Sequence, residues 1–397
     1  MMTAIATERL WNRSFILCVL HNLFLFTYYF AMLTVLPLYI MQELGGTVKE
    51  AGLALTLFLV SSIGIRPFSG MIVERLGKKI CTRGAGLLFV LFALLFIFVD
   101  SLWSLLLIRF LHGFWFSILT TVNVPVVNDF IPEHRKGEGM GYFVMSTNLG
   151  VVFGPAIALT IIQYTSYTVL FGLLSVITLI GFFFCLILNI QATVPVHSNQ
   201  QQGHFSWSDL VETKVLPISC IAMLTALAYS SITSFITAFA ESQNLLSYAS
   251  LFFIVFALSM ILVRPWVGKC YDQKGPSFVI YPSFLFFAFG LVIVSFMHNQ
   301  WILWLSAVFI GVGYGSLFPC MQTMAIQSVA KQRMGHAIST FFTLFDLGLA
   351  VGSVLMGILI AYTGYALTYL FCAVLVVMTL VLYRKMVARH LTTQRVH

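Results

Sequence analysis

The chain has 397 residues, of which 60% are hydrophobic and 9% charged, with a formal net charge of +8. Soluble domains carry about 25% charged and about 45–50% apolar residues, so a water-exposed globular surface is excluded and a lipid solvent is implied. The seven cysteines, Cys18, Cys81, Cys185, Cys220, Cys270, Cys320 and Cys372, are scattered through apolar runs; this argues against a metal site or disulfide framework and makes them packing residues.

No cleavable leader is read at the start. Glu8, Arg9 and Arg13 precede an apolar run reaching about residue 40, too long for the roughly 7–15 apolar residues of a signal peptide. Apolar stretches fall at 15–40, 51–73, 82–99, 102–124, 139–163 and 166–190, then at 215–240, 247–268, 277–297, 300–322, 336–360 and 364–384. Each approaches the ~20 residues that a ~30 Å hydrocarbon core requires. The expectation is an all-α membrane protein of twelve transmembrane helices, with antiparallel neighbours joined by short loops. The exception is the polar interval 191–213, which divides the chain into a six-helix bundle over 1–190, a linker, and a second bundle over 214–397. Phe205 and Trp207 beside Asp209 and Glu212 suggest a short interfacial piece leading into the seventh helix. His197 and His204 have no companion ligands, so no metal is expected.

Basic residues set the orientation. With both termini inside, seventeen Lys and Arg fall on the cytoplasmic side: Arg9, Arg13, Arg75, Lys78, Lys79, Arg83, Arg135, Lys136, Lys214, Lys269, Lys274, Lys331, Arg333, Arg384, Lys385, Arg389 and Arg395. Lys49 alone falls opposite, and Arg66, Arg109 and Arg264 lie within helices. The positive charge is therefore a topology signal for a multi-pass protein of the inner or plasma membrane, with cytoplasmic termini and linker and no nucleic-acid partner.

Residues 66–77, RPFSGMIVERLG, match 264–275, RPWVGKCYDQKG, at an offset of 198, and the same offset pairs Gly113 with Gly311, Arg135 with Arg333, Gly150 with Gly348 and Gly154 with Gly352. Duplicated halves of one orientation point to a transporter, with its substrate site near mid-membrane. Asp346 lies about 16 Å along its helix and is the carboxylate expected at mid-membrane; its repeat mate is Asn148. Other acids stand at helix ends: Asp129 and Glu138 inside, Glu43, Glu50, Asp100 and Glu241 outside. Proton relays and cation sites use such buried carboxylates.

Three motifs carry chemistry. After the second helix the chain reads Gly70-x-x-x-Glu74-Arg75-x-Gly77-Lys78-Lys79; helix four holds Arg109-Phe-Leu-His112-Gly113; helix five holds Gly150-x-x-x-Gly154-Pro155. In these the chain resembles the major facilitator superfamily over nearly its whole length. It departs in having Glu74 for Asp, Lys for the second Arg of the loop, and Ala156 and Ala158 where the helix-five motif has further glycines. The resemblance implies two pseudo-symmetric six-helix bundles and function as a monomer without cofactor. It implies a conformational latch at Gly70, Glu74, Arg75, Gly77 and Lys78, echoed at Asp272 and Gly275. It associates Arg109 with proton coupling and Gly150, Gly154 and Pro155 with antiporters, that is, exporters. It places His21, Asn22, Tyr28, Tyr29, Arg109, His112, Asn123, Tyr229, Ser230, Thr233, Ser234, Tyr314 and Gln322 on cavity-lining helices. His112 and Asn148 join Asp346 and Arg109 as candidates for the coupling and substrate region.

The leading expectation is a proton-coupled exporter of small amphiphilic molecules, with Asp346 carrying the proton and Arg109 tuning the field. Export of an opine-type metallophore or another polar metabolite stays open, since Arg109, His112 and the tyrosines suit carboxylate-bearing cargo. Uptake by symport also stays open. A membrane enzyme would want a His-x-x-x-x-Asp or Ser/Asp constellation at one membrane face, and the sequence offers none.

Overall fold

The computed structural model describes residues 9–190 and 211–388. Most of the 191–213 linker, including His197, His204, Phe205, Trp207 and Asp209, lies outside the described residues, as do Arg389 and Arg395. The helices are α1 (Arg13–Gln42), α2 (Val48–Leu76), α3 (Lys78–Leu95), α4 (Leu102–Asp129), α5 (Lys136–Ile162), α6 (Tyr167–Ile187), α7 (Leu216–Ser242), α8 (Leu246–Lys274), α9 (Pro276–Ser295), α10 (Gln300–Gln327) and α11 (Met334–Tyr383). All eleven contain a stretch long and apolar enough to cross a bilayer.

α11 holds two spans. Its 50 residues would extend about 75 Å as one helix, over twice a ~30 Å hydrocarbon core. Gly364, at φ 78 and ψ 172, interrupts it, a conformation that glycine adopts without a Cβ clash. Its repeat mate is Ser166, the residue that caps α6 by accepting from the Val169 amide. The described residues thus contain the twelve expected segments.

The repeat reaches element boundaries. The offset of 198 converts the bounds of α2 into those of α8, of α4 into those of α10, and of the 3₁₀ turn Glu133–Arg135 into Lys331–Arg333. Gly77 (φ 82) separates α2 from α3 and its mate Gly275 (φ 86) separates α8 from α9, so both single-residue turns use the same left-handed backbone. Trp103 and Trp301, also mates, stand in the first turns of α4 and α10 with 79% and 68% exposure, as tryptophans of an interfacial belt do.

The chain forms two compact units, one of residues 1–65 and 72–197, the other of 66–71 and 198–397. In the first, α1 packs on α5 and α6, and α3 on α4 and α6. Gly150 and Gly154 bring α5 against α1: a Cβ on Gly150 would meet Phe26 and one on Gly154 would lie 2.7 Å from the Thr27 carbonyl. In the second, α7 packs on α11 and α10 lies on α8 and α9. Gly348 and Gly352 repeat the close approach, against Met223 and Leu227 of α7. Glu212, the described end of the linker, pairs with Arg333 at 2.9 Å, and its amide donates to Thr340 Oγ1.

Helix ends are closed by polar groups. Thr47 and Glu50 form a reciprocal cap on α2, and the Thr47 amide and hydroxyl hold the Glu50 carboxyl below its usual range. Lys136, counted from sequence as a loop cation, is buried, and its Nζ donates to the carbonyls of Asn128 (2.5 Å) and Ile131 (2.8 Å). A cation there satisfies the carbonyl end of α4.

Candidate functional site

In the second unit, Ser339, Phe342 and Asp346 lie three and four residues apart, which puts them on one face of α11. Segment 66–71 runs along that face. Arg66 Nε pairs with Asp346 Oδ2 at 2.8 Å, with side-chain exposures of 6% and 19%. The Arg66 guanidinium carbon lies 4.8 Å from the Phe342 ring centroid, and Ser339 Oγ donates to the Arg66 carbonyl. One turn on, Gly70 faces the start of α11, where a Cβ would stand 2.8 Å from the Gly335 carbonyl and 2.9 Å from Ser339 Cβ. Arg66 lies about 15 Å from the C-terminal end of α2, and Asp346 about 18 Å into α11. This ion pair is therefore deep in both helices.

Asp346 has a direct cationic partner, Arg66, to which the sequence reading gave no role. Arg109 lies only about 10 Å into α4, in the first unit. It is 1% exposed, its guanidinium carbon stands 4.3 Å from the Phe58 ring centroid, and none of its nitrogens has a hydrogen-bond partner among the described residues. His112 is enclosed by rings, with centroids at 4.1 Å (Phe89), 5.4 Å (Tyr28) and 5.9 Å (Phe96). Tyr29 stacks on Phe116 at 4.8 Å. Arg109, His112, Tyr28 and Tyr29 thus form one aromatic-walled cluster.

Asn22 stands apart from that cluster and stitches α1 to α5 through Ser146 Oγ and Thr147 Oγ1, each at 2.9 Å. Asn123 is buried on α4, and Asn148 is half-buried on α5. In the second unit Tyr229 and Tyr314 stack at 3.6 Å with planes 10° apart.

The residues expected to form a latch divide. Lys78 is buried and its Nζ reaches Asp129 Oδ2 at 2.6 Å and the Pro125 carbonyl at 3.2 Å, joining the start of α3 to the end of α4. Glu74 and Asp272 are half-buried and Arg75 is exposed. Gly150 and Gly154 act as packing glycines, and their mates Gly348 and Gly352 do the same on α7. That geometry serves helix contact in both units and carries no direction of transport by itself. Pro155 lies within α5, half-buried.

Sequence reasoning placed Arg66 and Arg264 in helices without giving either a role. The signal was present: they are repeat mates, each followed by proline, and an arginine inside a membrane helix is a functional candidate by default. Arg264 is 2% exposed, and none of its guanidinium nitrogens has a hydrogen-bond partner among the described residues.

The Major Facilitator Superfamily model matches residues 17–353, with a second match over 275–395. The chain is 23% identical over 350 residues to the multidrug resistance protein MdtG of Klebsiella pneumoniae (strain 342), covering 85% of this chain and 84% of the relative. It is 22% identical over 390 residues to the protein of that name from Escherichia fergusonii, covering 94% and 93%. Among solved structures, the human organic anion transporter MFSD10 (TETRAN) superposes with a TM-score of 0.78 at 13% identity, over 93% of this chain and 98% of the other. FucP in the outward conformation gives 0.75 at 17%, over 94% and 99%. The duplicated helices, the matching fold and the family match together assign this multi-pass membrane transporter to the Major Facilitator Superfamily.

Proposed function

We propose that the chain is a proton-coupled exporter of small amphiphilic molecules, working by alternating access as a monomer in the cell membrane, with cytoplasmic termini and no enzymatic step. The observation that carries the reading is the Arg66–Asp346 pair on the α11 face that also receives Gly70. A proton taken by Asp346 removes the charge that holds Arg66, so protonation and the docking of segment 66–71 become one event. That is a local charge change biasing a two-state element. Glu74, Gly77 and Lys78 follow within the next turns and would transmit the movement to the α2–α3 connection. Export is supported by the multidrug resistance name carried by relatives that align along most of their length.

The test is substrate efflux and exchange in proteoliposomes across an imposed pH gradient. Asp346→Asn keeps the volume and removes the titratable group. Expected is loss of uphill efflux with retained energy-independent exchange. Uphill transport with undiminished pH dependence in the Asn variant would make Asp346 structural and send the search for the proton site elsewhere. Export of a polar, carboxylate-bearing metabolite is the second reading. It is favoured by Arg109 and Arg264, two buried guanidinium groups with no hydrogen-bond partner among the described residues.

A further inference from the structure

We infer that Arg264 is the recognition point for a negatively charged group on the substrate, so that the transported molecule is an organic anion. The inference rests on the transporter reading and adds the substrate's charge.

The argument is one of charge within the spans. Among the described residues three arginines, Arg66, Arg109 and Arg264, and one carboxylate, Asp346, lie seven or more residues from either end of a membrane helix. Asp346 is committed to Arg66 at 2.8 Å. Arg264 occupies in α8 the position that Arg66 occupies in α2, because the two helices have the same length and register. The duplicated copy has kept the cation and its proline, whereas the register mate of Asp346 is the neutral Asn148. The repeat therefore supplies Arg264 with no acid of its own.

The surroundings of Arg264 do not compensate. It is 2% exposed, and Nε and both terminal nitrogens lack a hydrogen-bond partner among the described residues. One turn before it on α8, Met260 fills the space over Gly315 of α10, and farther along α10 the Cys320 thiol lies within electrostatic reach. A thiol is a weak acceptor. An arginine buried without a partner is costly, and its planar fork of donors matches carboxylate, phosphate or sulfonate oxygens two at a time. A structural arginine would be expected to cap backbone carbonyls, and this one caps none among the described residues. Arg66 shows what the same position does when an acid is provided.

The test uses full-length protein purified in detergent and three probes with one ring system and different charges: 2-naphthoate, 2-naphthamide and 2-naphthylmethylammonium. Expected is a saturable rise in Tm with the carboxylate and none with the other two. Arg264→Gln should weaken the carboxylate effect at least tenfold, with Arg264→Lys between. Without ligand, Arg264→Gln should unfold at the parent's temperature or above it, because the change removes an unpaired buried charge; a structural arginine would give the opposite shift. The inference is overturned if Arg264→Gln unfolds well below the parent, if the carboxylate acts equally on both proteins, if the ammonium is the selective ligand, or if the three probes are not distinguished. Counterflow of the same probes in proteoliposomes separates this inference from the coupling proposal. Uphill movement of the ammonium probe alone under a pH gradient preserves proton-coupled export and sinks the anion. Carboxylate exchange that ignores the gradient preserves the anion and sinks the coupling.

Discussion

At the scale of single residues, the Arg66–Asp346 pair makes a thermodynamic claim that does not depend on transport. Removing one member of a buried pair leaves the other charge uncompensated, at roughly 3–5 kcal/mol, whereas neutralising both is far milder. Asp346→Asn and Arg66→Gln are each expected to lower stability in detergent, and the double variant to recover most of the loss. Additive losses in that cycle would show that the two side chains do not support one another. Asp346 was legible in the sequence because a carboxylate deep in an apolar run has few bland explanations. Its partner was not, because the contact joins residues separated by most of the chain and no local period encodes it. The repeat was the usable clue: Arg66 and Arg264 share a register, so a role for one was a question about both. The tyrosine stack and the ring wall around His112 were legible only as composition, since 38 phenylalanines give no means of choosing which rings meet.

At the scale of elements, the apolar runs located all the helices but not their ends. The run read as 51–73 became Val48–Leu76, and the one read as 139–163 became Lys136–Ile162. Caps are polar, so a helix continues past its apolar stretch by about a turn. The latch belongs to this scale. Gly70→Leu is expected to leave the protein inserted but to cut transport severely, because a side chain there meets the Gly335 carbonyl. Glu74→Gln should impair transport at unchanged expression. Rates equal to the parent for both variants would remove the latch role. Gly364→Ala forces a Cβ into a positive-φ extended backbone open essentially to glycine alone, at about 1–3 kcal/mol, and should lower Tm while leaving substrate affinity near the parent value; an unchanged Tm would mean that the break between the two arms of α11 is held elsewhere.

At the scale of the whole molecule, the basic residues predict the orientation. Reporter fusions at residues 200 and 390 should both report the cytoplasmic side; signal from the opposite side at either position overturns it. The single-residue turns at Gly77 and Gly275 also constrain how the chain enters the bilayer during synthesis. α2 is the least apolar of the spans and carries Arg66, which at a helix centre disfavours insertion by roughly 2.5–3.5 kcal/mol on translocon scales. α3, the next span, is much more apolar and is separated from α2 by the single residue Gly77. The insertion machinery therefore receives α2 and α3 as a hairpin, with the apolar arm drawing in the reluctant one. α2 alone in a microsomal insertion assay should insert poorly, and appending α3 should rescue it, before Asp346 has even been synthesised. The charge later used by the folded protein is thus carried into the membrane by its neighbour, and its counter-ion arrives only when the last helices do.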